Sequence, residues 1–289
     1  DVITYSAAIS ACERAAQWAW ALQLLGEMLQ CELETDTIVN NAVISACEKG
    51  AQWALAVWLM DEMWRQGPAP DAITYGAAIS ACEKDQKWQR ALDLLAEMRD
   101  RGVLPDAVAC NAAISACEKG QVAESALQIL IDMQRDELRP DAISYCAAIS
   151  ACGKGRQWEH SLRLFREMQE EGFVPDVIAY SAAITACEKG YCWQIAFQLL
   201  EEMRRQKATP NVVTYNAAIS ACEKGIEWER SLGLLAEMKR EGVEPSIVTY
   251  SAVISACENG QRWETALEII EEMKHLTVEL GMITYTAAI

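Results

Sequence analysis

Histidine is nearly missing from this sequence, with two in 289 residues, and phenylalanine is scarce, with three. His160 and His275 stand alone at variable positions, so neither the base of a hydrolase triad nor a histidine metal cage can be assembled from them. There is no G-x-S-x-G, no P-loop and no H-x-E with C-P-x-x-C, which removes the signatures of acyl transfer, nucleotide hydrolysis and zinc deamination. No apolar run reaches about 18 residues, so the chain offers no membrane-spanning helix. Positive charge is also short. Lys and Arg number 25 against 42 Asp and Glu, a net charge of −17, which works against general affinity for a polyanion. No C-x-x-C pair occurs among the twelve cysteines, so a zinc site is not expected. No cofactor, metal or catalytic residue is predicted.

What is present repeats. Asp1, Asp36, Asp71, Asp106, Asp141, Asp176, Asn211, Ser246 and Gly281 fall at a constant interval of 35 residues. Counting each unit from the residue after that marker gives repeats 2–36, 37–71, 72–106, 107–141, 142–176, 177–211, 212–246 and 247–281, with a partial ninth at 282–289. The period fixes the architecture before composition does. The chain is predicted to form one continuous array over 1–289, cut from a longer protein, with no polar cap at either end.

Inside a unit the apolar spacing is helical twice. Positions 4, 8 and 11 make one row, as in Tyr75, Ile79 and Cys82, with Ala77, Ala78 and Ala81 allowing close approach. The second row runs Trp88, Leu92, Leu95 with Ala91 and Met98. A glycine such as Gly50 or Gly225 is expected to end the first helix as a left-handed stop. Pro-Asp, as in Pro105-Asp106, blocks further helix and caps the next one. Each unit is therefore an antiparallel helix pair, and the fold class is an all-α solenoid.

The "ITYNAAISACEKG"-type opening, the "ALxLLxEM" second helix and the closing "PD" resemble the pentatricopeptide repeat family, in eight registers across essentially the whole chain. The resemblance implies a right-handed superhelix whose first helices line the concave face. It also implies sequence-specific binding of single-stranded RNA, one base per repeat, in a mitochondrion or plastid. Roles in RNA processing, stability, editing or translation come with it; DNA is not expected as a partner. No transit peptide is visible.

Positions 2, 5, 9 and 13 share one face of the first helix. Position 2 is always aliphatic: Ile3, Ile38, Ile73, Val108, Ile143, Ile178, Val213 and Val248. Position 5 is small and varied: Ser6, Asn41, Gly76, Asn111, Cys146, Ser181, Asn216 and Ser251. Position 9 is Ser or Thr, and position 13 is basic in seven units: Arg14, Lys49, Lys84, Lys119, Lys154, Lys189 and Lys224. An aliphatic wedge to stack bases, a short polar reader and a cation for phosphate suit a single strand.

In the family that this chain resembles, position 5 and the last residue of a unit choose the base together. That implies uracil for Asn41 with Asp71 and for Asn111 with Asp141, guanine for Ser6 with Asp36, adenine for Ser181 with Asn211, and cytosine for Asn216 with Ser246. Gly76 with Asp106, Cys146 with Asp176, and Ser251 with Gly281 depart from the usual pairs. The implied target is G-U-x-U-x-A-C-x. The alternative is a scaffold holding other proteins in an organellar complex, for which the boundary Asp is only a helix cap and the Lys row a solvated face beside Glu. The acid at position 26 (Glu97, Asp132, Glu202 and others) is expected on convex solvent surface. Eight cysteines at position 11, Cys12 through Cys257, are expected as unbridged small hydrophobes.

Overall fold

The computed structural model describes residues 1–275; Gly281 and the partial repeat 282–289 lie outside them. The described residues form sixteen helices and no strand: α1 (Val2–Arg14), α2 (Trp18–Gln30), α3 (Thr37–Lys49), α4 (Trp53–Gln66), α5 (Ala72–Lys84), α6 (Trp88–Asp100), α7 (Ala107–Gly120), α8 (Ala123–Arg135), α9 (Ala142–Lys154), α10 (Trp158–Glu170), α11 (Val177–Lys189), α12 (Trp193–Arg205), α13 (Val212–Lys224), α14 (Trp228–Arg240), α15 (Ile247–Asn259) and α16 (Trp263–His275). Odd helices are the first of each repeat and even helices the second.

Two compact units can be distinguished, Asp1–Ala151 and one that begins at Cys152, the boundary falling within α9. In the first, α1, α3, α5 and α7 pack successively, and α2, α4 and α6 each lean on the first helix of the following repeat. The second unit repeats this, with α11, α13 and α15 in succession and α10, α12 and α14 leaning on them. Within each unit these contacts join neighbouring repeats, as a solenoid requires.

The helix starts follow from the boundary residue. The side chains of Asp36, Asp71, Asp106, Asp176, Asn211 and Ser246 each accept from the backbone N–H three residues on, at the first turn of the following helix. The core is the predicted row: Tyr75, Ile79 and Cys82 are fully buried, as are Met28, Met98, Met133 and Met238 of the second helices. Each such burial contributes about 1.5–3 kcal/mol. All twelve cysteines are free thiols, and those at position 11 are buried except for the half-buried Cys12.

Two expectations are overturned. The glycine after the first helix is not a left-handed stop: Gly50, Gly190, Gly225 and Gly260 have φ near −85°. The left-handed residue is the next one, Ala51, Tyr191, Ile226 or Gln261. At several of these glycines the space a Cβ would take is filled by the tryptophan that opens the second helix of the preceding repeat, although Asp85 takes this place after Trp53. A Cβ on Gly50 would sit 2.2 Å from Trp18 Cδ1, and one on Gly225 2.2 Å from Trp193 Cδ1. Left-handed glycines occur instead after the second helices, at Gly102, Gly172 and Gly242.

The position-26 acid is not free convex surface either. Glu202 accepts from Tyr180 at 3.1 Å and Glu272 from Tyr250 at 2.8 Å. Position 28 of the preceding repeat reaches the same acid: Arg99 meets Asp132 at 2.8 Å, Arg204 meets Glu237 at 2.8 Å, and Lys239 meets Glu272. Burial and these carboxylates push the Tyr180 and Tyr250 hydroxyls above their ordinary pKa, so they remain donors.

Candidate nucleic-acid interface

The first turn of each first helix carries position 2 outward. Ile3, Ile38, Ile73, Val108, Ile143, Ile178, Val213 and Val248 are exposed by 59 to 80%. A β-branched aliphatic left in water forgoes much of the 1.5–3 kcal/mol that burial would give it. Scattered exposed apolar residues are ordinary, whereas one recurring at the same place in every repeat forms a patterned surface.

One helical turn further on, the position-5 side chain meets the last residue of its own repeat. Asn41 Nδ2 donates to Asp71 Oδ1 at 3.1 Å, Asn111 Nδ2 to Asp141 Oδ1 at 3.2 Å, and Asn216 Nδ2 to Ser246 Oγ at 3.4 Å. In these three repeats the two residues that the resemblance pairs are thus in contact, though 30 apart in sequence. The amide oxygens are held as well. Thr74 donates to Asn41 Oδ1 at 2.6 Å, Ser144 to Asn111 Oδ1 at 2.5 Å, and Thr249 to Asn216 Oδ1 at 2.6 Å. Ser181 and Thr214 share a hydrogen bond of 2.7 Å. The Asp71 and Asp141 carboxyls are raised by burial, but hydrogen bonds from the adjoining hydroxyl, backbone and Asn outweigh it and hold both below the usual carboxylate value.

The pairs of the first and third repeats are not assembled in this way. Ser6 donates to the Val2 carbonyl at 2.8 Å, within its own helix, while Asp36 caps Val39. Gly76 is buried and has no side chain to offer Asp106, which caps Ala109. Ser251 is half-buried, and its assigned partner Gly281 lies outside the described residues. Cys146 is half-buried and Asp176 exposed.

The cation row has partners that the sequence did not disclose. Lys49 pairs with Glu13 at 2.9 Å, Lys84 with Glu48 at 2.9 Å, Lys119 with Glu83 at 2.6 Å, and Lys224 with Glu188 at 2.8 Å. The partner is the position-12 acid of the preceding repeat, not the Glu beside each Lys. Position 9 reinforces it, with Ser45 donating to Glu13 at 3.2 Å and Ser115 to Glu83 at 3.0 Å. Lys189 departs because Gly153 stands where its acid would be, and it turns to the adjacent Glu188 at 3.2 Å. Glu223 shows the converse. Position 13 of the next repeat is Asn259, and burial together with Glu188 and Glu258 raises the Glu223 carboxyl despite Lys224. Arg14 and Lys154 are exposed. The row is therefore a ladder of compensated charges and not a bare basic stripe.

Two features escaped the sequence reading. One is the position-12 acid, whose signal was its recurrence opposite the Lys row. The other is the buried hydroxyl at position 3, whose signal was its alternation with Ala and Val. Among the described residues, no cluster of three or more His, Cys, Asp or Glu could hold a metal.

Comparison with curated protein sequences gives no match. Among solved structures, the pentatricopeptide repeat protein PPR10 from maize is similar over 100% of this chain, at 26% identity and a TM-score of 0.56; the chain spans 46% of that protein. The PPR domain of Arabidopsis thaliana protein-only RNase P 1, solved in complex with tRNA, aligns with 60% of this chain and 91% of its own length at 13% identity and a TM-score of 0.53. Nuclear proteinaceous RNase P 2 from A. thaliana aligns with 63% of this chain and 41% of its own length, at 14% identity and a TM-score of 0.56. The last two likenesses concern the fold. Sequence profiles agree: the pentatricopeptide repeat domain matches residues 163–224, the PPR repeat family 70–119 and 210–259, and the PPR repeat 3–33, 41–68, 143–173 and 248–278. With the 35-residue period, the capped helix pairs and these matches together, the chain belongs to the pentatricopeptide repeat family.

Proposed function

We propose that this array binds single-stranded RNA in a sequence-dependent manner, with bases held between successive position-2 side chains and read by position 5 with the last residue of the repeat. The observation that carries the proposal is the exposed aliphatic row, 59 to 80% open in eight successive repeats. Between its members lie polar pairs already bonded to one another, as Asn41 is to Asp71. Stacking gives affinity to any base, and the pairs give choice. The protein acts by binding and not by catalysis, and its setting is a mitochondrial or plastid transcript that it protects, processes, edits or helps to translate.

The compensated Lys ladder favours a second reading, a scaffold for other proteins, because it lowers the electrostatic attraction to phosphate. Combined substitution Ile73→Ser, Val108→Ser and Ile143→Ser separates the two. These residues are 63 to 65% exposed, so melting should hold nearly constant. Affinity for single-stranded RNA should fall by at least tenfold, since each Ile or Val covered by a base contributes part of the about 1.5–3 kcal/mol of full burial, at three sites. Unchanged RNA affinity, or no saturable binding by the unsubstituted protein, would leave the scaffold.

A further inference from the structure

A third residue stands behind each bonded pair. It is position 3 of the following repeat, 33 residues after the position-5 side chain. Where position 5 is Asn41, Asn111 or Asn216, this place holds Thr74, Ser144 or Thr249, and Ser181 is matched by Thr214. Where position 5 is Gly76 or Cys146, it holds Ala109 or Ala179. Ser6 is matched by Val39, and its hydroxyl bonds back to Val2. All four hydroxyl-bearing residues are 0% exposed, so none of them can touch a ligand.

The hydroxyl is not needed to start the helix. Val39, Ala109 and Ala179 have their N–H capped by Asp at 2.8 Å, as short as the 2.9 Å of Thr74. What it adds is orientation. Thr74 Oγ1 accepts from the Asp71 N–H at 3.1 Å and has one hydrogen to give. Asp71 Oδ1 lies 2.9 Å away, but Asn41 Oδ1 is nearer at 2.6 Å, too close for two lone pairs to face each other, so the hydrogen goes there. The amide is then fixed with Oδ1 inward on the hydroxyl and Nδ2 on Asp71. A flipped amide would set its oxygen against the carboxylate and its nitrogen 2.6 Å from the hydroxyl oxygen, shorter than N–H···O bonds run. In the seventh repeat Ser246 can donate or accept, and the sense of Asn216 is set by the 2.6 Å contact of its Oδ1 with Thr249, an O–H···O length.

We propose that the buried position-3 hydroxyls are positioning residues for base choice: a repeat discriminates only where the hydroxyl holds the position-5 side chain in one orientation. This rests on the RNA-binding reading above. It makes the second, fourth, sixth and seventh repeats selective, and the first and third indifferent, against the guanine that family resemblance gives to Ser6 with Asp36.

The test measures anisotropy of fluorescein-labelled single-stranded oligoribonucleotides with the base opposite one repeat set to each of the four. Thr249→Val should reduce the ratio of best to worst base at the seventh repeat from about fivefold toward one, since one directed hydrogen bond is lost. Binding of the best oligonucleotide should weaken by less than that, and Thr249→Ser should restore the ratio. A gain experiment guards against misfolding. A Cβ at Gly76 meets nothing within 4 Å, so the backbone there leaves room to start the side chain of Gly76→Asn in the third repeat. Alone it should leave that repeat indifferent, whereas Gly76→Asn with Ala109→Thr should create a preference of about threefold. A full wild-type ratio in Thr249→Val, or a preference from Gly76→Asn alone, overturns the inference while RNA binding stands. No saturable binding by the wild-type protein to any oligonucleotide overturns the RNA reading and this inference with it.

Discussion

Removing one negative charge from the ladder should tighten RNA binding. Glu83 Oε1 lies 2.6 Å from Lys119 Nζ, with side chains 17% and 35% exposed, and accepts from Ser115 at 3.0 Å. A phosphate that meets Lys119 must therefore compete with a carboxylate already in place. A pair this open to solvent is worth about 0.2–1 kcal/mol. Glu83→Gln keeps an acceptor for Ser115 and Lys119 but removes the competing charge. Affinity for single-stranded RNA should rise by up to about fivefold at low salt, the upper end of that range expressed as a binding ratio. The slope of log K against log[salt] should steepen by up to about 0.7, the share of one phosphate contact on a single strand. Lys119→Ala should weaken all sequences alike and leave Glu83 repelling the strand. Binding is read by anisotropy across a KCl series, with Glu62→Gln as control, because Glu62 pairs with Arg65 on α4, away from this face. An unchanged slope in Glu83→Gln would show that the ladder does not meet phosphate.

Three further outcomes follow from particular contacts. Ser246→Asp keeps a cap for α15, so stability should change by a few tenths of a kcal/mol; by resemblance to the second and fourth repeats, preference there should move from cytosine toward uracil by up to about fivefold, and equal affinity for both bases before and after would refute it. Gly225→Ala should destabilise by about 1–3 kcal/mol in urea unfolding, because its Cβ would lie 2.2 Å from Trp193 Cδ1, whereas Gly26→Ala, with nothing within 4 Å, should stabilise by about 0.5–1 kcal/mol; a gain at both sites would refute the tryptophan contact. Burial pushes the thiols of Cys47, Cys82, Cys117 and Cys222 up to about 11 and Cys152 up to about 12. They stay protonated at neutral pH, so mass spectrometry after native alkylation should show the exposed Cys31 modified first, and early labelling of the buried set would contradict the packing.

The repeat made the fold legible. A constant period of 35 residues places every capping Asp and every Tyr-Ile-Cys row, and these are local patterns that a single helix pair already displays. What escaped depended on contacts between repeats. Gly50 looks like a helix stop in one repeat, and its reason appears only when Trp18 of the preceding repeat packs against it. The second-helix acid reads as surface until Tyr180 and Gln169 close on Glu202. The Lys row reads as basic until Glu48, 36 residues before Lys84, comes within 2.9 Å. Position 2 was legible because its aliphatic character had no local use, and the structure leaves it exposed. Position 3 was written in the sequence as an alternation of Thr or Ser with Ala or Val, but its meaning required seeing Thr74 reach Asn41 across the repeat boundary.

The central claim is that this surface selects single-stranded RNA by sequence, and selection from a random single-stranded RNA pool tests it most directly. The purified chain is incubated with the pool, and bound molecules are sequenced at several protein concentrations. The account expects enrichment of one short unpaired motif, with fixed letters opposite the second, fourth, sixth and seventh repeats in the order U, U, A, C, and freedom opposite the first and third. Bound RNA with the same composition as the input pool at every concentration would contradict it.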